Sequence, residues 1–379
     1  MKILFVSSSP LEYSSSANMR NLALLKGLIE SGNEIYTLTP KSQVDSKFYD
    51  ESLCDIKIKE KYYIEMGNIQ SKLTVKKGKK SILKSFIYKT LSKFKIYDFR
   101  STLANKKVVI KEKFDIIISS SDPKSSHLIA ESLINNNPGI TKRWIQYWGD
   151  PFASDINKKS LMPKFMIERE ENRIISKADK IVYVSPFTCE EQKKKYKGNA
   201  HKMSFIPIAY KNEIIYEKTN NSNIVLGYYG DYNKRDRDII PLYNYVKNNK
   251  NINLHICGNS DLELECKENI IIETRQNIEK IRENEAKTDI LVCVCNKSGT
   301  QIPGKVYHYA ATNKPILILL ENNKNSEFRK YFDGFDRYIL CNNNEEEIEK
   351  TIKQIISQNK EYFPCEKLKP KSIAKEFVK

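Results

Sequence analysis

The residues best suited to chemistry lie in a loop before a short helix, Ser298–Tyr309, which reads SGTQIPGKVYHY. Pro303 suits the first turn of a helix, and Gly304 lets a ligand approach the backbone. The free N–H groups of a helix N-terminus attract phosphate, and Lys305 adds a mobile cation at the same place. The loop therefore predicts a phosphate-binding site, with an ordinary helix start in an α/β sheet as the alternative interpretation.

The elements around this loop repeat in the order strand, loop, helix. Strands are expected in the first half at 2–6, 34–38, 114–118, 143–148, 180–184 and 203–206, and in the second half at 224–229, 253–257, 270–272, 289–295, 315–320 and 337–341. Strands that alternate with helices of about 10–15 residues indicate βαβ units and parallel, doubly wound sheets. Gly32 is expected to close the first helix at its C′ position, and Ser185 to cap a helix that begins at Pro186.

Two domains follow from this order. We expect an N-terminal Rossmann-like domain at 1–210, a polar linker at 211–223, a second Rossmann-like domain at 224–358, and a C-terminal helix within 359–379 that packs back on the first domain. Ligands of open α/β sheets bind outside the carboxyl ends of the strands. The active site is therefore expected in a cleft between the two domains.

Composition restricts the class of protein. The 379 residues are 29% charged and 40% hydrophobic, the balance of a globular protein. No stretch approaches the ~20 apolar residues of a membrane span, which predicts a cytoplasmic protein. The eight cysteines form no C-x-x-C pair, so buried thiols are favoured over a zinc or dithiol site.

The net charge of +17 is unevenly distributed. Between Met66 and Tyr97 there is no Asp or Glu, whereas Lys72, Lys76, Lys77, Lys79, Lys80, Lys84, Lys89, Lys93 and Lys95 all fall inside. The pattern predicts a basic amphipathic helix that suits an anionic membrane surface at the inner face of the plasma membrane. A solvated helix that packs on its own domain is the alternative.

Several segments together resemble family 4-like retaining glycosyltransferases of the GT-B fold, of the bacterial surface-polysaccharide type. The P-G-K turn at Pro303–Lys305, with the K-P and apolar strand after it, is similar to the segment that holds the nucleotide sugar in that family. The segment GYYGDYNKRDRD at 227–238 looks like its strand-turn-helix. There Gly230 would form the turn, and Lys234, Arg235 or Arg237 would contact the donor diphosphate. Which of the three basic residues does so stays open.

The resemblance extends to loops of the first half. The loop SSSPLEYSSSANMR at 7–20, which includes Ser9, would face the donor phosphates, although it is serine-rich where many relatives carry a Gly-Gly pair. Asp150 ends a strand in IQYWGDPF and would hydrogen-bond a sugar hydroxyl or the acceptor, with turn formation before Pro151 as the alternative. His127 lies in a serine-rich stretch that marks the family, and packing within its helix is the alternative to a functional role.

One departure concerns the family's pair of glutamates, E-x7-E, in the second domain. The corresponding positions here are Thr300 and His308, neither of which is acidic. His308 would still hydrogen-bond a ribose hydroxyl.

The resemblance implies transfer of a sugar from a nucleoside diphosphate, UDP by preference, with retention of configuration. Asp150, Lys305 and Arg235 would act in catalysis, without a metal or other cofactor. The acceptor would be a saccharide or lipid-linked saccharide in capsule or O-antigen assembly.

Three other functions are alternatives to this interpretation. A GT-B-fold nucleotide-sugar epimerase needs paired acidic groups near the sugar, and the predicted loops contain few acidic residues. A non-catalytic nucleotide-sugar-binding subunit is suggested by the missing glutamates. Nucleic-acid binding is suggested by charge alone, and the sequence contains no recognisable module for it.

Overall fold

The computed structural model describes residues 1–46, 48–65, 93–155, 160–321, 325–358 and 360–379. Most of the predicted basic helix, residues 66–92, therefore lies outside the described residues. The chain divides into two compact units, which are described separately. The first unit comprises Met1–Lys211 together with Pro370–Lys379, and the second comprises Asn212–Lys369.

The first unit is a seven-stranded parallel sheet with helices around it. Its strands are β1 (Lys2–Val6), β2 (Glu34–Pro40), β3 (Glu60–Ile64), β4 (Phe114–Ser120), β5 (Thr141–Trp148), β6 (Lys180–Tyr183) and β7 (Met203–Phe205). Its α-helices are α1 (Ser16–Glu30), α2 (Ser125–Asn136), α3 (Lys164–Ser176), α4 (Pro186–Lys195) and α10 (Pro370–Phe377). Short 3₁₀ helices lie at Glu51–Cys54, Phe99–Asn105 and Lys197–Lys202.

Helix boundaries in this unit follow the capping signals of the sequence. The Ser15 side chain accepts a hydrogen bond from Asn18 N at the start of α1, and Gly32 follows its end with a φ of 81°. Only glycine adopts such a positive φ without strain, so the predicted C′ position is confirmed. The N-cap at Ser185 and the Pro186 start of α4 are confirmed as well.

The strand order of the first sheet is β3-β2-β1-β4-β5-β6-β7. The chain moves outward from β1 to β3 and then returns to place β4 beside β1, so the topological switch point lies between β1 and β4. In this type of sheet the crevice at the carboxyl ends of those two strands is the usual place for a ligand.

The second unit repeats the plan with six parallel strands. They are β8 (Ile224–Tyr229), β9 (Ile252–Cys257), β10 (Ile270–Glu273), β11 (Ile290–Val294), β12 (Ile316–Leu320) and β13 (Ile339–Asn342), in the order β10-β9-β8-β11-β12-β13. The helices are α5 (Ile240–Lys247), α6 (Ile278–Lys287), α7 (Lys305–Tyr309), α8 (Asn325–Asp333) and α9 (Glu345–Gln358), with a 3₁₀ turn at Glu366–Leu368. Here the switch point lies between β8 and β11.

Helix α10 packs against α1 of the first unit. A Cβ added to Gly27 would lie 2.0 Å from the carbonyl oxygen of Pro370, so only glycine permits this approach. The ring of Phe377 meets the ring of Tyr147 edge to face at 5.0 Å between centroids. The first contact joins the last helix to α1, and the second joins it to strand β5 of the sheet.

Apart from shifts of one or two residues at strand ends, the structure differs from the sequence prediction at two elements. Strand β3 was not predicted, because it is an edge strand whose side chains are mostly exposed, and burial is what makes a strand pattern recognisable. Helix α7 begins at Lys305 with Gly304 as its N-cap, so Pro303 precedes the helix rather than filling its first turn. Among the described residues, no helix combines the length and apolar character needed to cross a membrane.

Candidate functional site

The site predicted from Gly230 and Lys305 forms at the switch point of the second sheet. Gly230 directly follows β8, and Lys305 begins α7, which follows the loop after the neighbouring strand β11. A Cβ at position 230 would lie 3.0 Å from Lys305 Cε and 3.3 Å from Lys305 Cδ. The lysine side chain therefore lies across the glycine, and the missing Cβ provides its space.

A second glycine brings β9 to the same place. A Cβ at Gly258 would lie 2.0 Å from the carbonyl oxygen of Gly230, which makes the two backbones contact each other. Asp231 holds this arrangement, because its side chain accepts a hydrogen bond from Asn259 N at 3.0 Å. The carboxyl ends of β8 and β9 thus form a compact floor beneath the Lys305 side chain.

The electrostatic surroundings of Lys305 favour an anionic ligand. Burial lowers the pKa of Lys305, and the carboxylate of Glu285 opposes that shift. No hydrogen bond or salt bridge joins Lys305 Nζ to another residue within the described part of the chain. Lys305 Nζ lies 5.8 Å from the centroid of the Tyr309 ring. A partly buried ammonium of this kind gains stability when a negatively charged group binds.

Glu285 was missed by the sequence analysis. It is buried on α6, it accepts a hydrogen bond from Tyr216 Oη at 2.7 Å, and burial raises its pKa. Arg275, whose Nη1 lies 3.7 Å from Asp231 Oδ2, also acts on Lys305: its positive charge lowers the pKa of Lys305. Neither residue stands out in the sequence, because each lies in a charged stretch whose buried face is not evident from spacing.

The three basic residues predicted to contact a diphosphate differ in position. Arg237 Nε donates to Asn296 Oδ1 at 2.7 Å, and Asn296 Nδ2 donates to the carbonyl oxygen of Gln301 at 3.1 Å. Arg237 thereby joins the loop between β11 and α7. By contrast, the side chain of Arg235 is 82% exposed and lies 3.6 Å from Asp236, and Lys234 is exposed as well.

Arg237 and Lys305 share a neighbour. Burial raises the pKa of the Cys293 thiol to about 11, and the charges of Arg237 and Lys305 both act against that rise. Cys293 lies on β11, so both cations lie close to this strand. The structure therefore brings Arg237 and Lys305 to one end of the sheet.

The remaining predicted residues of this loop lie around α7. Thr300 is buried, Pro303 is buried immediately before the helix, and Gly304 caps it. Burial, together with the Lys305 charge, lowers the pKa of His308 to about 4. His308 is therefore neutral at physiological pH and can both donate and accept a hydrogen bond. Helix α7 has 5 residues, too few for an appreciable dipole, so the electrostatic argument rests on the side chains.

Asp150 belongs to the first unit, at the carboxyl end of β5. The carboxylates of Asp122, Asp150 and Asp155 place one oxygen each within 4.8 Å of one another. Lys124 Nζ lies 2.6 Å from Asp122 Oδ1 and 2.9 Å from Asp155 Oδ2, and Asp150 is a further cause of the raised pKa of Lys124. Three carboxylates are thus grouped around one buried ammonium. Asp122 and Lys124 could have been recognised in the sequence from their opposite charges beside Pro123.

The loop after Asp150 is fixed by a buried glutamate that the sequence did not indicate. Glu171 accepts hydrogen bonds from Phe152 N at 2.6 Å and from Ala153 N at 3.2 Å. Tyr196 Oη donates to the same carboxylate at 2.7 Å. Glu171 therefore determines the path of the backbone that leaves Asp150.

Ser9 lies at the switch point of the first sheet, in the loop after β1. Its N–H group donates to Ser7 Oγ at 3.1 Å. The preceding Ser8 N donates at 2.9 Å to Ser126 Oγ, in the loop and helix that follow β4. The two serine-rich loops of the sequence are therefore hydrogen-bonded to each other. His127 is fully buried beside Trp148, and burial lowers its pKa to about 3.

The sequence matches no protein-family model, and it has no significant match among curated proteins. Solved structures do resemble the chain. HepE of Anabaena in complex with UDP and glucose is 11% identical, with a TM-score of 0.55 over 100% of this chain and 95% of HepE. A variant of S. aureus TarM in complex with fondaparinux, α-GlcNAc-glycerol and UDP is 10% identical, with a TM-score of 0.57 over 99% and 95%.

A UDP-N-acetylglucosamine 2-epimerase is similar as well. It is 11% identical, with a TM-score of 0.51 over 100% of this chain and 93% of the epimerase. At these identities the likenesses show the fold alone, and the two parallel sheets of 7 and 6 strands are those of the GT-B fold.

Proposed function

We propose that this protein transfers a sugar from a nucleoside diphosphate, UDP by preference, to a saccharide or lipid-linked acceptor. The observation that carries the proposal is the Lys305 side chain, which lies across Gly230 at the switch point of the second sheet. Its ammonium has no acidic partner within hydrogen-bond distance among the described residues. A diphosphate would supply the missing negative charge. Structures of the same fold were determined with UDP and glucose, and with UDP and α-GlcNAc-glycerol.

In the proposed reaction, the bond between the sugar C1 and the diphosphate oxygen breaks. A bond from the acceptor oxygen to C1 forms on the same face, and the acceptor proton passes to the departing phosphate. Lys305 and Arg237 would stabilise the charge that develops on the leaving diphosphate, which is the largest electrostatic demand of this chemistry. The reaction needs no metal in this form. A covalent sugar adduct trapped on Asp150 would overturn retention by front-face attack.

The other residues take supporting roles in the proposal. Neutral His308 would hydrogen-bond a ribose hydroxyl, and Thr300 lies in the same loop. Asp150 would hydrogen-bond a hydroxyl of the sugar or the acceptor, and Ser9 would face the phosphates. Of the three basic residues of the turn, the proposal assigns the donor contact to Arg237, which Asn296 holds beside the loop before α7, rather than to the exposed Arg235 or Lys234. We attribute the reaction to surface-polysaccharide assembly by family 4-like enzymes, on the resemblance of the P-G-K segment.

The test is a thermal-shift titration with UDP, GDP, ADP and their sugar conjugates in the presence of EDTA. A ligand that binds only the folded state raises the unfolding temperature. At a ligand concentration of one hundred times Kd, the free energy of unfolding increases by about 2.7 kcal/mol. We expect one nucleotide family to stabilise the protein. Lys305→Ala should weaken that binding roughly 10- to 100-fold, because a charge-assisted hydrogen bond is lost.

Lys142→Ala is the matched control, since the Lys142 side chain is 82% exposed in the first unit. It should leave the nucleotide response unchanged. The proposal is wrong if no nucleotide shifts the unfolding temperature, or if both lysine variants respond like the original protein.

A nucleotide-sugar epimerase is the second candidate. The observation that favours it is the group of carboxylates at Asp122, Asp150 and Asp155, because proton abstraction from a sugar carbon needs a general base and a carboxylate can serve as one. Incubation with UDP-N-acetylglucosamine in D₂O, without acceptor, separates the two candidates. Deuterium at the sugar C2 would favour the epimerase, whereas an unchanged sugar that is consumed only when an acceptor is added would favour the transferase.

A further inference from the structure

An exposed apolar surface lies on the first unit. It is formed by three large side chains, Phe94, Leu161 and Phe165, which are 60%, 64% and 69% exposed. We call it the Phe94–Phe165 surface. Large apolar side chains at the surface are unremarkable when scattered, but a group of them in one place indicates an interaction site.

Hydrogen bonds between two segments bring these side chains together. Leu161 N donates to the carbonyl oxygen of Lys93 at 2.6 Å. Ser160 Oγ donates to the carbonyl oxygen of Lys95 at 2.8 Å. The residues on either side of Phe94 are therefore paired with the segment that contains Leu161. Phe165 follows in the first turn of α3, which begins at Lys164.

The outward direction of these side chains is fixed by residues of the same segments that point inward. Ile96, Tyr97 and Met162 pack against the core of the first unit. The ring of Tyr97 lies 4.9 Å from that of Phe152, and its hydroxyl donates to Glu170 Oε1 at 2.9 Å. The exposed apolar side chains therefore project from backbone that is held in place by its buried neighbours. Their exposure to water does not stabilise the fold.

Lysines surround the surface. Lys93, Lys95 and Lys164 are all exposed. The nearest acidic groups of α3 are paired. Glu168 Oε1 lies 3.0 Å from Lys195 Nζ and 3.8 Å from Nζ of Lys164, whose side chain is still 68% exposed. Glu170 Oε2 accepts from Arg173 at 2.8 Å. The sequence that leads into this surface, from Met66 to Tyr97, contains nine lysines and no Asp or Glu. The surface thus combines exposed apolar groups with an excess of positive charge.

From this combination we infer that the Phe94–Phe165 surface binds an anionic lipid bilayer. The aromatic and leucine side chains enter the boundary between headgroups and acyl chains, and the lysines pair with lipid phosphates. An anionic bilayer satisfies both features, whereas nucleic acid would leave the apolar side chains exposed to water. The inference adds a docking surface to the proposed function and gives a reason for a lipid-linked acceptor, but its test does not depend on nucleotide binding.

The experiment is co-sedimentation of the full chain with vesicles of phosphatidylcholine alone and with phosphatidylglycerol added. We expect binding to the anionic vesicles and little to the neutral ones. The triple variant Phe94→Ser, Leu161→Ser, Phe165→Ser should bind at least about tenfold more weakly, because the apolar contribution is lost. Phe363→Ser is the matched control, since Phe363 is 68% exposed in the second unit, and it should bind like the original protein.

The charge contribution is tested with Lys93→Gln, Lys95→Gln and Lys164→Gln. Each should weaken binding to the anionic vesicles roughly fivefold, which corresponds to the usual contribution of one lysine near a charged bilayer. Lys142→Gln is the control for loss of one exposed lysine.

Equal binding of the triple variant and the original protein would overturn the inference, as would equal binding to neutral and anionic vesicles. Competition by duplex DNA with no change in the triple variant would assign the charge to nucleic acid instead. The nucleotide thermal shift should be the same in all these variants, so failure of vesicle binding and failure of the proposed function give different results.

Discussion

Lys124 and Asp122, which lie on either side of Pro123 in the loop after β4, form an ion pair with Lys124 Nζ 2.6 Å from Asp122 Oδ1. The same ammonium lies 2.9 Å from Asp155, and the charges around it hold its pKa above the usual range. We expect Lys124→Met to destabilise the protein by about 3 kcal/mol at neutral pH, because the neighbouring carboxylates lose their buried counter-charge. Urea unfolding measures the change.

The effect of Lys124→Met should diminish as the pH falls. The charge of Lys124 helps to lower the pKa of Asp122, so the ion pair stabilises the folded protein only while Asp122 is ionised. Once the carboxylates are protonated, they no longer repel one another and no longer need the lysine. The exposed Lys142, which is also paired with an aspartate, provides the control, and Lys142→Met should cost less than about 1 kcal/mol. Equal losses in the two variants would contradict this role of Lys124.

Gly230→Ala tests the approach of Lys305 to the strand end. The new methyl would lie 3.0 Å from Lys305 Cε, so the flexible lysine must move by a few tenths of an ångström. We expect roughly fivefold weaker nucleotide binding with little change in stability. Calorimetric titration measures the affinity. Gly198→Ala is the control, because a Cβ there has no neighbour within 4 Å. An unchanged affinity in Gly230→Ala would show that Lys305 does not depend on this contact.

Nucleotide affinity should fall as the pH rises, at values below the ordinary lysine pKa of 10.5. Burial lowers the pKa of Lys305 in the free protein, and only its charged form attracts a diphosphate. Glu285 acts against that lowering, so Glu285→Gln should move the loss of binding to lower pH. Affinity measured from neutral to alkaline pH in both proteins checks this. Identical pH profiles would exclude an influence of Glu285 on Lys305.

Arg237 and Arg235 should differ in their effect on binding. Arg237 is held beside the loop of β11 through Asn296, whereas Arg235 is exposed. We expect Arg237→Ala to weaken nucleotide binding roughly tenfold, and Arg235→Ala to change it less than about twofold. The same calorimetric titration distinguishes them. The reverse order would assign the diphosphate contact to the exposed side of the turn.

Burial of His127 predicts acid sensitivity. Its pKa is lowered to about 3, so the unfolded chain binds a proton below pH ~6.5 that the folded protein excludes. The contribution of His127 to the free energy of unfolding is complete above pH ~6.5 and is lost as the pH falls towards 3, by about 5 kcal/mol in total. His127→Asn should flatten the acid limb of stability, measured by urea unfolding at several pH values. A limb of unchanged slope would assign the sensitivity to other groups.

The sequence predicted those features that depend on local pattern. Strand β1 has the predicted boundaries, the Ser185 cap and the Gly32 terminus are confirmed, and the doubly wound α/β class follows from the alternation of elements. Edge strand β3 escaped prediction because its side chains are mostly exposed. Glu285 and Glu171 escaped for a different reason: their burial depends on which helix face meets the sheet, and a charged helix does not reveal that face by spacing.

Within the candidate site, the sequence identified Lys305 and Gly230 without indicating that one lies over the other. It left Lys234, Arg235 and Arg237 equivalent, because three basic residues on one turn have no periodicity that separates them. The structure separates them by exposure and by the Asn296 contact. The paired roles of Lys124 and its aspartates also required the meeting of two loops that are distant in sequence.

The return of helix α10 to the first unit has a consequence for synthesis. Residues 212–369 are made between the two parts of that unit, so the surface of α1 around Gly27 lacks its cover until Pro370–Phe377 has left the ribosome. During translation all seven strands of the first sheet are made before the second unit, and only helix α10 of the first unit is made after it. The N-terminal unit would then be finished last, and ribosome-bound nascent chains that stop before residue 370 would present an exposed α1 face to chaperones.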